Sequence, residues 1–586
     1  MPMPVHTPSR SLLRIRLWYA LLLVLCGVVV VKLFYLQVIR HQYYQTAAIS
    51  GQLKEYEIPA QRGVIEAHNG EGVVAIVLNE SKYTLFADPQ FIKDPVKTAG
   101  EVQKVLGGNV QDYEDKMRAK SRYVVLAKKL DKDQKSRIAG LDLKGIGTRE
   151  VPYRTYPQGT MAAQLLGFVN DEGEGKYGVE QALDKTLKGT PGLLKAITDA
   201  RGVPLAANKD NVSIEPKSGQ RTLLTIDIGM QQGLEDALKS GLEHAKSTSG
   251  SALIIEAQTG AVKAMANYPT YHPAEFFKTE DANLFTNAVV SAPLEVGSIM
   301  KTLTIAAALD QGVINKNTTY YDPGFWQIGD AKITNVVEVG GAATKSISDI
   351  LRQSLNTGAT WLLMQMGGGE INEKARKTWH DYMVNHYGFG KPTGIEQGYE
   401  TGGSIPDPVN GFGLNIQFAN TAFGQGMTAT PLQMGVALAA VVNGGTYYRP
   451  HLVEKTAPGN TENIQKPEIV RSGVVSPEAS KATRELMEYA FSQNHRTFGM
   501  ASLRPEYSIG GKSGTPQVPK PEGGYYEDRY NGTFYGFVGG NEVQYVIVVR
   551  VNEPKIAGYA GSKAAGPIFT ALATMLMDNF GVTPKN

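Results

Sequence analysis

A long apolar stretch lies close to the N-terminus of the chain. Residues 17–31 contain no charged side chain, Lys32 follows them, and the apolar pattern then continues to Ile39. A helix that spans a membrane needs about 20 apolar residues, so residues 17–31 alone are short. The length is reached if the stem of Lys32 stays in the apolar layer while its amine reaches the interface. The pattern therefore predicts a transmembrane helix over residues 17–39.

Three arginines precede this stretch, at Arg10, Arg14 and Arg16. Basic residues favour the cytoplasmic side of a membrane, which predicts a cytoplasmic tail over residues 1–16 and an exported remainder. A cleaved signal peptide is the first alternative, but no small-x-small cleavage pattern directly follows the apolar run. A buried globular helix is the second, and a terminal segment with almost no polar face disfavours it.

Residues 50–205 alternate in the manner of strands and are rich in turns. The segment from Tyr83 to Pro89 predicts a strand that ends at the proline, and residues 96–106 and 132–141 predict short helices. A further helical segment opens at Tyr177 and ends near Gly189. Because no cluster of catalytic residue types occurs here, we expect a pedestal or docking domain.

The remainder, residues 215–582, predicts a second domain after a boundary near residues 202–219. Thr259-Gly260 is typical of a hairpin turn between two strands. The pattern predicts elements in this order: strand 223–227, helix 230–245, strands 251–256 and 261–266, and, far along the chain, strands 532–540 and 544–551 and helix 567–580. Strands at both ends with helices between them indicate an α+β fold, in which distant segments close one antiparallel sheet.

Composition narrows the class of protein. With 586 residues, 42% of them hydrophobic and 20% charged, the chain is globular and long enough for two or three folded units. A formal net charge of +3 gives no support to nucleic-acid binding. Cys26 is the one cysteine, so an intrachain disulfide and a cysteine-based zinc site are excluded.

Candidate chemistry begins at Ser298, which precedes a strongly helical run. Lys301 lies three residues later and therefore shares a helix face with it. A serine hydroxyl attacks only when a base removes its proton. Lys301 is the candidate base, because burial or nearby positive charge lowers the pKa of a lysine. A serine that caps a helix near a surface lysine is the simpler interpretation of this string alone.

A second polar string, Ser354-Leu355-Asn356, follows a helical stretch and predicts a short loop. The hydroxyl of Ser354 can relay a proton, and the amide of Asn356 can hold the carbonyl of a substrate. Ser and Asn are also common in turns that have no further role.

The third string is Lys512-Ser513-Gly514-Thr515. Strand alternation directs Ser513 and Thr515 to the same side, where two hydroxyls at a basic edge suit a carboxylate, and Gly514 leaves room for a substrate backbone. The string also resembles the end of a phosphate-binding loop, but the earlier glycine that such a loop needs would fall at Glu506.

In this order the three strings are similar to the S-x-x-K, S-D-N and K-T-G set of penicillin-binding proteins and class A β-lactamases. The chain resembles class B penicillin-binding proteins, which are monofunctional peptidoglycan D,D-transpeptidases, and it resembles their division-type members more than their elongation-type members. Further resemblances are spread along the chain: Arg62-Gly63-Val64-Ile65, Tyr156-Pro157-Gln158-Gly159, Gly178-Val179-Glu180 and Phe423-Gly424-Gln425-Gly426. The chain departs from the family at Val296, Thr302 and Leu355, which alters the lining of the site and not its reacting groups.

The resemblance implies a fold, a reaction and a location. The fold would be a transmembrane helix, an elongated β-rich pedestal (the dimerisation domain) and a transpeptidase domain with a five-stranded antiparallel sheet flanked by helices. The enzyme would sit in the bacterial cytoplasmic membrane as a single-pass protein, with its N-terminus inside, and serve septal cell-wall synthesis. Its partners would be stem peptides ending in D-Ala-D-Ala, β-lactams, division proteins and a multi-spanning glycosyltransferase of the shape, elongation, division and sporulation (SEDS) family. It would need no metal and no cofactor.

The resemblance also assigns a role to each site residue. Ser298 would be acylated, with Lys301 as its base, and Ser354 would relay the proton to the leaving D-alanine with the support of Lys512. Asn356 would bind the donor peptide. Ser513 and Thr515, with Gly514 between them, would hold its terminal carboxylate. The backbone N–H groups of Ser298 and Thr515 would form the oxyanion hole.

Two other functions remain open at this point. A membrane-anchored D,D-carboxypeptidase or β-lactamase would need a second base to activate water, and Glu396 is the nearest candidate after the middle string. A non-catalytic β-lactam sensor or scaffold would not need Ser298, Lys301, Ser354 and Lys512 together.

Overall fold

The computed structural model describes residues 10–44, 53–197, 212–336, 341–459 and 461–586. Residues 1–9 of the predicted tail, and residues 50–52 and 198–205 at the ends of the predicted pedestal, lie outside the described residues. The chain divides into two compact units. The first unit comprises Met1–Ala60 with Thr190–Ser218, and the second comprises Gln61–Gly189 with Gly219–Asn586.

The described strands are numbered here in chain order. They are β1 Leu53–Ile58, β2 Ile65–Asn69, β3 Gly72–Ala87, β4 Val124–Leu130, β5 Ile146–Thr155, β6 Phe168–Val169, β7 Gly175–Lys176, β8 Gly192–Ile197, β9 Val212–Ile214, β10 Arg221–Asp227, β11 Ser249–Glu256, β12 Val262–Tyr268, β13 Thr319–Asp322, β14 Phe325–Ile328, β15 Ala331–Thr334, β16 Ala343–Ser346, β17 Thr446–Tyr448, β18 Val453–Ala457, β19 Asn463–Ile464, β20 Ile469–Ser472, β21 Ser508–Gly514, β22 Gln517–Pro519, β23 Tyr525–Tyr530, β24 Gly532–Gly539 and β25 Val543–Asn552.

The described α-helices are numbered in the same way. They are α1 Arg10–Phe34, α2 Pro95–Leu106, α3 Val110–Met117, α4 Lys132–Gly140, α5 Ala163–Leu166, α6 Gly178–Ala182, α7 Asp184–Lys188, α8 Ile228–Ala245, α9 Ala288–Ser291, α10 Met300–Asp310, α11 Ile347–Arg352, α12 Asn356–Met366, α13 Glu373–Asp381, α14 Leu414–Thr421, α15 Pro431–Val442, α16 Pro477–Asn494 and α17 Gly566–Asn579.

The first unit contains the predicted apolar helix. Helix α1 continues into a π-helical turn at Tyr35–Ile39, and the apolar part runs for 27 residues from Leu13 to Ile39, with a mean hydropathy of 2.5 and no buried side chains. At 1.5 Å per residue this is about 40 Å, longer than the hydrocarbon core of a bilayer. The unit also contains a three-stranded sheet in the order β1-β8-β9.

The predicted five-stranded antiparallel sheet is confirmed, in the order β12-β11-β25-β24-β21. Its central pairing joins Leu253 of β11 to Val548 of β25, almost three hundred residues further along the chain. One face packs against α8 and α17, and the other packs against α15. Strand β21, which carries Lys512, Ser513 and Gly514, forms one edge of the sheet.

Two central helices are buried on all sides. In α10 the nine residues from Met300 to Ala308 are buried, and in α15 all twelve residues are buried. A helix that is apolar around its whole circumference belongs in a core, and Thr304 fits there because its hydroxyl donates to the carbonyl of Ala422 at 2.7 Å. Helix α10 therefore holds the segment of Ser298 in the middle of the domain.

The β-rich domain that precedes this core is also confirmed. Its main sheet has seven strands: β19-β18-β10-β2-β3-β4 in order, with β5 paired to β3. Strand β10 runs parallel to β2 and antiparallel to β18, so segments of both predicted domains share this sheet. A separate small core lies under α2, α3 and α4, around Leu85, Val102 and Leu126.

Candidate active site

Ser298 lies in a tight turn and not within the α-helix itself. Residues Gly297–Ile299 form a single 3-10 turn, and α10 begins at Met300. Gly297 has φ of +65°, a left-handed conformation that suits glycine, and its N–H donates to the carbonyl of Gly424 at 2.9 Å. The serine is therefore fixed at the entrance to a rigid buried helix.

Lys301 is fully buried, and its amine touches four oxygen atoms. Its Nζ lies 2.8 Å from Ser298 Oγ, 2.8 Å from Asn356 Oδ1, 2.6 Å from the Ser354 carbonyl and 3.1 Å from Ser354 Oγ. A charged amine has three protons and a neutral amine has two and a lone pair. The neutral amine can therefore accept the proton of Ser298 at the observed distance.

The surroundings of Lys301 favour that neutral form. Burial lowers its pKa well below that of an ordinary lysine, and the positive charge of Lys512 lowers it further. Desolvation opposes the charged state of a buried amine, and a like charge nearby acts in the same direction. The structure thus supplies the condition that a lysine base requires.

The second string forms a sharp corner between two helices. Helix α11 ends at Arg352 and α12 begins at Asn356, so the predicted loop is shorter than expected and Asn356 belongs to a helix. Ser354 has φ of +58°, which is uncommon for a residue with a side chain. Its hydroxyl lies 3.1 Å from both Lys301 Nζ and Lys512 Nζ, and so bridges the two amines.

Hydrogen bonds to both the oxygen and the nitrogen of its side-chain amide fix the orientation of Asn356. Its Oδ1 accepts from Lys301 Nζ at 2.8 Å, and its Nδ2 donates to the carbonyl of Thr334 at 3.1 Å. The next residue, Thr357, is held by Asn335, whose Oδ1 accepts the Thr357 N–H at 3.1 Å, and by buried Asp322, whose carboxylate accepts the Thr357 hydroxyl at 2.5 Å. The sequence did not predict these supports, because Thr334 acts through its backbone and nothing in the pattern links residues 322 and 357.

The third string lies at the end of edge strand β21, beside the first two, with Thr515 directly after the strand. Lys512 is buried and its Nζ lies 2.7 Å from the Ser513 carbonyl; burial lowers its pKa to about 7. Ser513 and Thr515 are both partly exposed while Gly514 between them is buried, which is the alternation expected of a strand. The Thr515 hydroxyl accepts from the Gly561 N–H at 3.0 Å, which leaves its proton available to a ligand.

Strand β24 supplies two further supports that the sequence did not predict. The hydroxyl of Thr533 donates to the carbonyl of Val296 at 3.0 Å, and that of Tyr535 donates to the carbonyl of Ile299 at 2.6 Å. A Cβ on Gly514 would lie 2.4 Å from Thr533 Oγ1, so Gly514 is needed for packing within the protein. Thr533 and Tyr535 alternate along one strand and therefore share a face, but that pattern does not indicate their partners at residues 296 and 299.

Glu396, the sequence candidate for a water-activating base, is engaged elsewhere. Its carboxylate accepts from the Leu452 N–H at 2.8 Å and from the Gln465 amide at 3.4 Å. Within the described ranges Glu396 forms no hydrogen bond with Ser298, Lys301 or Lys512.

The described residues contain no group of three or more His, Cys, Asp or Glu side chains that could hold a metal ion.

Comparison with known proteins finds two family models that match this chain. The family model described as the penicillin binding protein transpeptidase domain matches residues 250–574. The model described as the penicillin-binding protein dimerisation domain matches residues 57–224. The first match alone covers more than half of the chain, and together the two place a dimerisation domain ahead of a transpeptidase domain.

Several known proteins match this chain along most of their length. Stage V sporulation protein D of Bacillus subtilis is 29% identical over 589 residues, covering 98% of this chain and 88% of that protein. Peptidoglycan D,D-transpeptidase FtsI of Escherichia coli is 25% identical, covering 96% and 92%. Among solved structures, penicillin binding protein 2X of Streptococcus thermophilus has a TM-score of 0.70 at 24% identity, over 91% of this chain and 83% of that one. Penicillin binding protein 3 of Mycobacterium tuberculosis, complexed with aztreonam, has a TM-score of 0.67 at 23% identity, over 90% and 98%. With both domain models matched in this order, the chain belongs to the class B penicillin-binding proteins.

Proposed function

We propose that this protein is a serine D,D-transpeptidase that cross-links peptidoglycan stem peptides. The observation that carries the proposal is the amine of Lys301, which is buried, has a lowered pKa and lies 2.8 Å from Ser298 Oγ. The transpeptidase family and relatives named peptidoglycan D,D-transpeptidases support it.

The first half-reaction is acylation of Ser298. Lys301 takes the hydroxyl proton as Ser298 Oγ attacks the carbonyl carbon of the penultimate D-alanine. The bond to the terminal D-alanine breaks, and the leaving nitrogen receives a proton through the hydroxyl of Ser354, with Lys512 beside it. Asn356 holds the donor chain, while Ser513 and Thr515, on either side of Gly514, hold the terminal carboxylate. The N–H groups of Ser298 and Thr515 stabilise the oxyanion.

The second half-reaction returns the enzyme to its starting state. The amine of an acceptor stem peptide attacks the ester carbon, the bond from that carbon to Ser298 Oγ breaks, and the proton of the amine returns to Ser298 through the same groups. A new amide joins two stem peptides. A β-lactam would enter the first half-reaction in place of D-Ala-D-Ala and leave Ser298 acylated; the complex of penicillin binding protein 3 with aztreonam is consistent with such binding in a relative.

The domain assignments follow the same proposal. Residues 1–16 form a cytoplasmic tail, residues 17–39 a transmembrane anchor, residues 50–205 the pedestal and residues 215–582 the transpeptidase domain outside the cytoplasmic membrane. The apolar length of residues 13–39 supports the anchor. Attachment of a membrane-impermeant penicillin probe to intact spheroplasts tests this orientation, since an inward-facing domain would stay unlabelled.

We further propose a role in septal synthesis with division proteins and a SEDS glycosyltransferase. The likeness to FtsI supports this role. The likeness to stage V sporulation protein D favours sporulation as the second candidate. Depletion of the protein separates them: filamentous growth supports division, and normal growth with defective spores supports the alternative.

The reaction itself is tested by intact-mass measurement after treatment with benzylpenicillin. We expect one adduct on the wild-type protein, none on Ser298→Ala, and an unchanged adduct on the control Ser502→Ala, which alters an exposed serine. An adduct that disappears within minutes would identify a hydrolase, and an adduct that remains on Ser298→Ala would refute the assignment of the nucleophile.

A further inference from the structure

Glu295 is a half-buried acid close to the nucleophile that the proposed reaction does not use. It lies three residues before Ser298, and its Oε1 accepts two hydrogen bonds, from the Tyr525 hydroxyl at 2.8 Å and from the Gly426 N–H at 2.9 Å. Its Oε2 is buried and has no hydrogen-bond partner among the described residues. An acid placed in this way needs an explanation.

The two hydrogen bonds join three segments that border the site. The first is the segment of Glu295, which leads into the turn of Ser298. The second is the loop 423–426, where the Gly424 carbonyl accepts the Gly297 N–H at 2.9 Å. The third is the hairpin of β22 and β23, which begins at Gln517, two residues after Thr515. One carboxylate oxygen thus links the nucleophile to the hairpin that follows the proposed carboxylate-binding residues.

Among the described residues, the outer part of the hairpin (518–527) is hydrogen-bonded to the rest of the protein through Tyr525, which donates to Glu295. Among the strands that the structure describes, β22 and β23 pair only with each other and are separate from the five-stranded sheet. An isolated two-stranded hairpin is at best marginally stable in water. Its turn contains Gly523 and Gly524, both with positive φ. At its base, the Asn531 N–H donates to the Pro516 carbonyl at 2.9 Å, and Arg529 of β23 pairs with Glu553 at 2.6 Å and 2.7 Å. The position of its outer part therefore depends on Tyr525.

We propose that Glu295 and Tyr525 form a latch that holds the β22–β23 hairpin beside acylated Ser298, and that this latch directs the acyl group to an amine acceptor in preference to water. Glu295 is a positioning residue in this scheme. The inference rests on the proposed acylation of Ser298. When the terminal D-alanine leaves, the space beside Thr515 opens, and the adjoining hairpin decides what enters it.

Aminolysis and hydrolysis both start from the ester of Ser298, and they differ in the group that attacks it. In aminolysis the acceptor nitrogen bonds to the carbonyl carbon; in hydrolysis a water oxygen does. In each case the carbon–Oγ bond breaks and Ser298 regains a proton. A hairpin held in place orders the acceptor and excludes water, whereas a released hairpin admits water and holds the acceptor less well.

The test measures how the acyl-enzyme divides between transfer to an amine and hydrolysis. A soluble N-acyl-D-alanyl thioester is the donor, and D-alanine is the acceptor. For Tyr525→Phe we expect the ratio of amide product to free acid to fall about five- to tenfold, the size expected for the loss of one typical hydrogen bond. The rate of acylation by benzylpenicillin should stay within about twofold of the wild-type rate, because the groups around Lys301 are untouched.

Matched variants separate the latch from general damage. Tyr530→Phe removes a hydroxyl from the same hairpin, one that donates to the Glu527 carbonyl within it, and should leave the ratio unchanged. Glu295→Gln keeps an oxygen acceptor and should retain most of the ratio, whereas Glu295→Ala should lower it as Tyr525→Phe does. The double variant Glu295→Ala/Tyr525→Phe should lower the ratio no further than either single variant does.

An unchanged ratio in Tyr525→Phe would overturn the latch, and so would a loss of acylation rate equal to the loss of ratio, because Glu295 would then act on Ser298 alone. Failure of the wild-type protein to form a penicillin adduct at Ser298 would instead overturn the proposed function.

Discussion

At the scale of single residues, the site depends on two buried amines that share one hydroxyl. Ser354 Oγ lies 3.1 Å from Lys301 Nζ and from Lys512 Nζ. Two ammonium groups this close oppose each other's charge, and burial opposes both. A proton leaving Ser298 therefore has a continuous route through Lys301 and Ser354 toward Lys512.

This arrangement predicts how acylation depends on pH. The rate of penicillin acylation should rise with pH through the lowered pKa of Lys301, because only the neutral amine accepts the serine proton. The rate should reach its plateau well below the pH at which an exposed lysine deprotonates. Stopped-flow acylation between pH 5 and pH 10, about the range over which the fold should persist, provides the measurement.

Lys301→Arg is the matched variant for this experiment. A guanidinium stays charged at every accessible pH, so acylation should fall about 100-fold or more and lose its pH-dependent limb. A wild-type rate that still rises steeply above pH 10, where ordinary lysines titrate, would contradict a neutral Lys301 in the resting enzyme.

The candidate catalytic and binding residues could be identified from the sequence because they lie in three short strings. Glu295, Thr334 and Thr533 were not, since each acts through a partner that is distant in the chain or through its backbone. Thr533, for example, bonds to the Val296 carbonyl across more than two hundred residues.

At the scale of elements, predictability follows the strength of the local pattern. Strands β11 and β12 were predicted from a hairpin turn, and α8 from its apolar spacing, since these signals are local. Strands β13 to β16, of which β15 carries Thr334 beside Asn356, are four residues each and lack such a signal. The parallel pairing of β10 with β2 depends on tertiary packing, so alternation along either strand could not indicate it.

The loop that carries Gly424 provides a prediction at this scale. Gly424 has φ of +85°, and a Cβ there would lie 2.1 Å from the Gly297 carbonyl oxygen. Gly424→Ala must therefore displace the turn of Ser298, with a loss of more than about 1 kcal/mol in the free energy of unfolding. Because misplacement by about 1 Å can cost 100-fold in rate, we expect acylation to slow by a similar factor.

Gly100→Ala is the control for that substitution. Gly100 lies inside α2, and a Cβ added there meets no atom within 4 Å. Alanine should stabilise the helix by about 0.5–1 kcal/mol and leave acylation unchanged. If the Gly424→Ala variant were acylated by the same β-lactam at the wild-type rate, the close approach of Gly424 to Gly297 would have no effect on the nucleophile.

At the scale of the whole molecule, the β-rich domain shares a sheet with the transpeptidase domain and contains a cluster of buried charge within itself. Glu180 is fully buried and binds two arginines, Arg62 at 2.6 Å and Arg154 at 2.8 Å. Arg154 also donates to the Gly63 carbonyl at 2.8 Å, next to the start of β2. Sequence could indicate the Gly178-Val179-Glu180 string by resemblance, but not that its acid would neutralise two distant cations.

Removing that acid should destabilise the protein. Glu180→Ala leaves Arg62 and Arg154 buried without their shared carboxylate, and breaking a buried pair in this way costs about 3–5 kcal/mol. Thermal unfolding followed by circular dichroism should show the loss, while penicillin labelling of the folded protein at low temperature should persist. The exposed pair of Lys316 and Glu485 is the control: Glu485→Gln should change stability by less than about 1 kcal/mol. Equal effects of the two substitutions would contradict a structural role for the buried cluster.

The left-handed backbone of Ser354 sets a limit on how this enzyme can be improved. Glycine would adopt φ of +58° without the strain that a side chain incurs, yet it would delete the hydroxyl between the two amines. Engineering that screens for heat resistance alone will therefore favour an inert protein at this position, and only a screen that also demands turnover will retain the serine.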